Sequence, residues 1–278
     1  MTELRLEGVS YGYERGPRAL DGVDLAIPTG SSLAVIGANG SGKTTLVRQL
    51  DGLLRPTAGR VLVDGEDAAN LHVAQLARRV GLCFQHPERQ IFSRNVREEV
   101  EFGPRQAGAS TEEAFARAQA ALAAVGMERD LGVHPGDLGE TRRKLLTIAS
   151  VLAMETPVVV LDEPTVGLDR RGTERVAGII SDLRAGGRTV IGISHDLRFV
   201  AETFERVVVL QEGRVALDGS PAEVFAPVRW PTLRAAGLEP PAAARIGAQL
   251  GLGSTPTDDA VVAALRGAAE TTTPGPNR

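Results

Sequence analysis

The chain has 278 residues, a formal net charge of −4, 42% hydrophobic residues and one cysteine, Cys83. That length holds one large α/β domain plus an appendage, and the slightly acidic balance offers no general attraction to nucleic acid. A lone cysteine excludes an internal disulfide framework and suits a reducing compartment. Neither the apolar segment of a leader peptide in Met1–Leu6 nor a run long enough to span a membrane is expected.

Short apolar strands alternate with helical patterns, which predicts a largely parallel sheet; the part up to about residue 65 is more β-rich. Ser31–Ile36 reads as a buried strand and Thr44–Leu50 as a helix. Between them, Gly37-Ala38-Asn39-Gly40-Ser41-Gly42-Lys43-Thr44 matches G-x-x-x-x-G-K-[ST] in full. Its glycines let successive N–H groups converge on the β- and γ-phosphates of a nucleotide. Lys43 adds positive charge there, and the Thr44 hydroxyl is placed to ligate Mg²⁺. Arg60–Gly65 reads as strand then turn, and Val80–Phe84 as an apolar run that makes Cys83 a core residue. A helix is expected over 111–126 after the cap Ser110, and another over 138–154. Pro157–Leu161 has the continuous apolar character of a fully buried parallel strand. Helix 172–185 and strands 188–193 and 206–210 follow. Ser220 caps a helix with Pro221 at its first position; short helical pieces broken by Pro231, Pro240-Pro241 and Gly251 then run to about 266.

Asp162 and Glu163 close the strand that starts at Pro157. Acidic residues there lie near the crevice where parallel sheets bind ligands. Asp162 can hold Mg²⁺ through water opposite Thr44, and Glu163 can polarise a water against the γ-phosphate. An acidic turn that merely ends a strand is the alternative; the intact phosphate loop favours the catalytic one.

At this point the chain resembles the ATP-binding subunits of ABC transporters. Asp162-Glu163-Pro164-Thr165 followed by Gly167-Leu168-Asp169 is similar to that family's catalytic segment and D-loop. His195 resembles its switch histidine, Gln85 its Q-loop glutamine and Tyr13 its adenine-stacking aromatic, with Tyr11 the weaker candidate for that role. The resemblance covers residues 3–220 and implies an α/β P-loop NTPase cassette: a RecA-like parallel core, an antiparallel β subdomain and a helical subdomain at roughly 86–155. It further implies an ATPase that binds ATP and Mg²⁺. Gly37 to Thr45, Tyr13, Gln85 and His195 would contact the nucleotide, and Thr44, Gln85 and Asp162 the metal. Glu163, His195 and Lys43 would be catalytic.

Phe84-Gln85-His86-Pro87-Glu88-Arg89-Gln90-Ile91-Phe92 and Val96–Pro104 resemble the Q-loop region of energy-coupling factor ATPases, which drive uptake of vitamins and transition-metal ions. Ile91 and Phe92 would line a groove for a membrane-bound coupling subunit, or else be plain core. A small C-terminal helical extension, 221–266, is also similar to that group and implies a dimer contact; 267–278 is expected to be a disordered tail. The resemblance implies a peripheral protein on the cytoplasmic face of the cell membrane, with a second ABC ATPase, a transmembrane coupling subunit and a substrate-binding membrane subunit as partners. A soluble nucleotide switch acting on ribosomes or DNA is the rival. It fits poorly, because the chain has a single phosphate loop, no heptad array and no basic stretch.

One segment departs from the family. Where it places Leu-Ser-Gly-Gly-Gln against the nucleotide of the opposite subunit, this chain has Leu138-Gly139-Glu140-Thr141-Arg142. The serine hydroxyl and both later glycines are gone, and Glu140 sets a carboxylate where phosphate oxygens approach. The expectation is a heterodimer in which this chain's own ATP site is the competent one.

Overall fold

The computed structural model describes residues 2–14 and 16–271. In chain order the strands and helices begin with β1 (Leu4–Gly12), β2 (Arg18–Ile27), β3 (Ser32–Ile36), α1 (Lys43–Leu50), β4 (Ala58–Val63), β5 (Glu66–Asp67) and α2 (Val73–Ala77). Then come β6 (Val80–Cys83), α3 (Val96–Gln106), α4 (Thr111–Val125), α5 (Glu140–Ala153), β7 (Val158–Asp162), α6 (Arg170–Ala185), β8 (Thr189–Ile193) and α7 (Leu197–Thr203). The chain continues through β9 (Arg206–Gln211), β10 (Arg214–Gly219), α8 (Pro221–Val224), α9 (Trp230–Ala235), α10 (Ala242–Gln249) and α11 (Asp258–Thr271).

Two sheets form. One is antiparallel, ordered β2-β1-β4-β5; the other is ordered β10-β9-β3-β8-β7-β6 and is parallel except for β10, which pairs antiparallel with β9. The fold is therefore α/β, with a mainly parallel sheet beside a smaller antiparallel one, the layout that the resemblance implies. Alternation along β3 decides which layer covers which face. Leu33 and Val35 join a core with Leu4, Leu25, Val61 and Leu46, whereas Ala34 and Ile36 join the core built on α3 to α7.

The helical caps follow the sequence closely. Ser110 accepts from Glu113 N and Ser220 from Glu223 N, each in a capping box. Helix α3 is an addition to the elements expected from the sequence, and it carries Gly103 and Pro104 within its last turns. Asn95 starts it by accepting from Glu98 N, and Val96, Val100 and Pro104, each a turn apart, are all buried. Helix α11 continues to Thr271, so 267–271 are helical rather than part of a tail; the rest of that expected tail, 272–278, lies outside the described residues. Phe225, Leu233, Leu238 and Ala244 join the same core as α3 to α7, and Gln211 Nε2 donates to Ala235 O at 3.1 Å.

Asp51, at the end of α1, is buried and accepts from Leu53 N at 2.9 Å. Burial pushes its carboxyl up from 3.8 to about 6, against the pull of the Leu53 N–H and Arg48. The folded state therefore holds an extra proton between those two values, and the stability this confers is full below the lower one and lost as pH rises through the upper. Asp51→Asn, which keeps the acceptor, is expected to raise stability at neutral pH by about 1–3 kcal/mol. Thermal unfolding followed from pH 4 to 8 checks this: the variant's advantage should grow with pH across that window.

Candidate nucleotide site

The parallel sheet places the candidate residues side by side. Along the order β3-β8-β7-β6, the carboxyl ends carry in turn the glycine-rich loop, His195, Asp162 with Glu163, and Gln85. These ends surround a cavity of about 400 Å³. Sequence separations of well over a hundred residues are erased by the strand order, as at the ligand crevice of open α/β sheets.

The loop needs its glycines for separate reasons. Gly37 has φ +155°, and a Cβ there would lie 2.3 Å from Leu210 O. Gly42 has φ +105°, and its Cβ would meet Ala19 O at 2.3 Å. Only a residue without a Cβ lets the chain turn tightly against those carbonyls. Gly42 is also the N-cap of α1 and offers no side-chain acceptor, so the first N–H groups of the helix stay available for an anion. Lys43 Nζ donates to Gly37 O and Ala38 O, both at 2.9 Å, which wraps the loop around the ammonium. Asn39, Gly40, Gly42, Lys43, Thr44 and Thr45 line the cavity. Gly37 and Ser41 are buried behind it, and Ala38 lies against Gly237 of the C-terminal segment.

Thr44 Oγ1 donates to Asp162 Oδ2 at 3.4 Å, across the crevice between α1 and β7. Glu163 has φ +49°, the left-handed region that is costly for a residue with a side chain. That turn is held by Glu163 N donating to Ile193 O at 2.9 Å, and by His195 N donating to Glu163 Oε2 at 3.3 Å. His195 Nε2 stands 3.3 Å from Glu163 Oε1, outside hydrogen-bond geometry. Asp162 Oδ1 and Glu163 Oε1 are both buried with no hydrogen-bond partner among the described residues.

Burial dominates the electrostatics. It pushes the Glu163 carboxyl up to about 7, with the Asp162 charge adding and the His195 N–H, Lys43 and Lys144 opposing. It raises Asp162 as well, against the pull of Lys144 and the Thr44 hydroxyl, and it lowers Lys43. His195 is held below the usual imidazole range by burial and by Lys43. Buried carboxylate oxygens without partners beside a threonine hydroxyl are hard donors suited to Mg²⁺, so this donor set fits that ion. No group of three or more His, Cys, Asp or Glu suited to a resident metal occurs among the described residues.

Tyr13 borders the cavity, about half exposed, and its hydroxyl lies 3.2 Å from Thr45 Oγ1. Tyr11 meets it edge-on at 5.0 Å between ring centroids and packs instead onto the β-rich core. Ile91 is half-buried against the helical core, while Phe92 is 65% exposed; both line a second cavity of about 370 Å³ with Glu88, His134 and Arg143. Sequence reasoning missed Pro17 and Arg18, which close the cavity beside Tyr13, and Lys144, which lies 2% exposed beneath it. A lysine on the inward face of a helix, in register with Thr147 and Ile148, is the signal that could have marked the last of these.

In the departing segment, Gly139 is the N-cap of α5 and Arg142 pairs with Asp130. The Thr141 hydroxyl donates to Gly167 O at 3.0 Å. The Glu140 carboxylate lies against Gly167, where an added Cβ would come within 3.2 Å of Oε1.

A glycine loop, an acidic strand end and a histidine meeting at one sheet edge define a nucleotide-binding cassette. The family model described as ABC transporter matches residues 20–166. The energy-coupling factor transporter ATP-binding protein EcfA2 of Symbiobacterium thermophilum is 41% identical over 276 residues, covering 94% of each chain. The cobalt import ATP-binding protein CbiO of Rhodobacter capsulatus is 41% identical over 86% of this chain and 85% of its own. The solved structure of cbiO1 from Clostridium perfringens, titled as part of the ABC transporter complex cbiONQ, superposes with a TM-score of 0.74. Its identity is 33%, over 89% of this chain and 98% of that one. Another curated relative, from Methanosarcina acetivorans, is longer, and the chain spans 40% of its length. The chain belongs to the ATP-binding subunits of ABC transporters, of the energy-coupling factor type, and is an ATPase.

Proposed function

We propose that this chain powers an energy-coupling factor importer for a vitamin or a transition-metal ion from the cytoplasmic face of the cell membrane. It works as one half of a heterodimer with a second ABC ATPase, seated on a transmembrane coupling subunit that serves a substrate-binding membrane subunit. The observation that carries the reading is the meeting of the glycine loop, Asp162–Glu163, His195 and Gln85 around one cavity. The names of the relatives at 41% identity supply the transporter class. No helix among the described residues is long and apolar enough to cross a membrane, so attachment would come through the partners. The exposed Phe92 and its groove are the surface for the coupling subunit.

In this reading the loop N–H groups and Lys43 hold the phosphates, and Tyr13 flanks the purine. Glu163 takes the proton of the attacking water. A carboxyl poised near 7 is matched to that task at physiological pH. His195, held neutral, orients that water and keeps Glu163 in place through its backbone N–H. Thr44 and Asp162, with Gln85 adjacent, would hold Mg²⁺, which when bound neutralises charge building on the phosphates.

Glu140 supports the unequal pair. Two like charges a few ångströms apart repel by several kcal/mol even at an effective dielectric of about 20, so this chain's segment serves a partner's phosphates poorly. Its own site would be completed by a partner with an intact segment. The test is ATP hydrolysis by the chain alone and by the triple variant Gly139→Ser, Glu140→Gly, Thr141→Gly. The wild-type chain should be nearly silent and the variant about tenfold or more faster. Brisk turnover by the wild-type chain as a symmetric dimer would remove the heterodimer. Detergent extracts should release a second ATPase and a membrane subunit with the tagged chain; recovery of the chain alone would favour a soluble nucleotide switch.

A further inference from the structure

We infer that Lys144 is a positioning residue for ATP hydrolysis. Its ammonium clamps the carboxyl ends of β6 and β7, holding Gln85 and the Asp162–Glu163 turn in place, and it does so from the helix whose first turn faces the partner's nucleotide.

Lys144 is 2% exposed. Its Nζ donates to Phe84 O at 3.2 Å, Gln85 O at 2.9 Å and Asp162 O at 3.3 Å. An ammonium has three hydrogens, and three main-chain carbonyls take them. Two of those carbonyls belong to residues whose side chains line the nucleotide cavity, and the third precedes Gln85. A buried lysine with no carboxylate in hydrogen-bond contact is costly unless something nearby offsets its charge. Here Asp162 and Glu163 are the carboxylates whose charges it feels, besides Glu88. The clamp therefore balances the acidic pair as well as fixing its backbone.

A second device grips the same place. Gln90 Oε1 accepts from Phe84 N at 3.1 Å while its Nε2 donates to Thr147 O at 3.2 Å, one turn along α5 from Lys144. At the other end of the helix's first turn, Thr141 is tied to Gly167 O, beyond β7. Helix α5 is thus pinned to β6 and β7 on both sides of Lys144. It cannot rotate or slide without dragging the carbonyls of Gln85 and Asp162. In the proposed heterodimer, residues 139–142 face the partner's nucleotide, so occupancy there is felt in this chain's own site through Lys144. That last step rests on the heterodimer reading; the clamp itself does not.

The test uses the complex captured from membranes through a tag on this chain, after its wild-type turnover has been measured. Absent turnover there would count against the transporter reading rather than against the clamp. Lys144→Met keeps the length of the side chain and removes the donors. With fold verified by thermal unfolding, it should lower kcat by about 10- to 100-fold, the scale of an ångström misplacement. The Kd for Mg-ATP, measured on the purified chain, should stay within about threefold, and Lys144→Arg should restore part of kcat. A folded Met variant with kcat within about twofold of wild type overturns the proposal, and so does equal loss of kcat and nucleotide affinity. If the Met variant does not fold, Lys144→Gln decides. It is shorter and has lost the charge, so lowered kcat with retained affinity supports the clamp, and wild-type kcat in a folded Gln variant overturns it.

Discussion

Glu163→Gln is expected to stop turnover while leaving nucleotide binding intact. The amide is isosteric, so it can still accept from His195 N and keep the left-handed turn at φ +49°. It cannot accept a proton. A positioned general base contributes about 10²- to 10⁴-fold, so kcat should fall by that factor. Affinity for Mg-ATP should hold or rise, because one of two adjacent buried carboxylates loses its charge beside the phosphates. Single-turnover hydrolysis and equilibrium binding, measured together in the transporter complex, separate the two effects. Retained turnover would remove Glu163 from the chemistry.

Lys43→Ala should act earlier, at binding. The ammonium holds the Gly37 and Ala38 carbonyls inward, and in the proposed reading its charge would face the phosphates. Truncation removes both the cation and the anchor of the loop's first residues. A charged hydrogen bond to a phosphate contributes about 1.5–3 kcal/mol in ordinary settings. Loss of loop shape adds to that, so Kd for Mg-ATP should weaken by about 10²-fold or more. Isothermal titration on the folded chain reads this directly; unchanged affinity would count against the phosphate-loop assignment. The two substitutions should therefore fail differently, one in rate and one in affinity.

The site was unevenly legible in the sequence. The glycine loop was fully so, because fixed spacing encodes it and β3 and α1 flank it as the apolar pattern required. Asp162 and Glu163 could be placed at a strand end, but not the left-handed backbone of Glu163, which depends on hydrogen bonds from elements thirty residues on. His195 and Gln85 are ordinary turn residues by local chemistry. Only resemblance singled them out, and only the strand order β3-β8-β7-β6 brings them to the loop. Strand β1 is hard to read singly because irregular pairing between Leu6 and Val9, and again near Tyr11, breaks its alternation; β2 does alternate over Val23–Ile27, a signal that the reading of a merely β-rich stretch leaves unused. Lys144 follows Arg142 and Arg143 and reads as a third surface cation. The 100° step of the helix carries it to the buried side with Thr147 and Ile148, a signal that lies in the periodicity and not in the local composition.

The alternation along β3 limits where the gene can tolerate length changes. A single codon inserted within Ser32–Ile36 would swap Leu33 and Val35 with Ala34 and Ile36 between the two cores. It would also push the glycine loop out of line with β8. The exposed turn at Gly108, between α3 and α4, has open space around its backbone. Epitope or reporter insertions belong at that turn, and frame-preserving indels in β3 should be lethal to the protein.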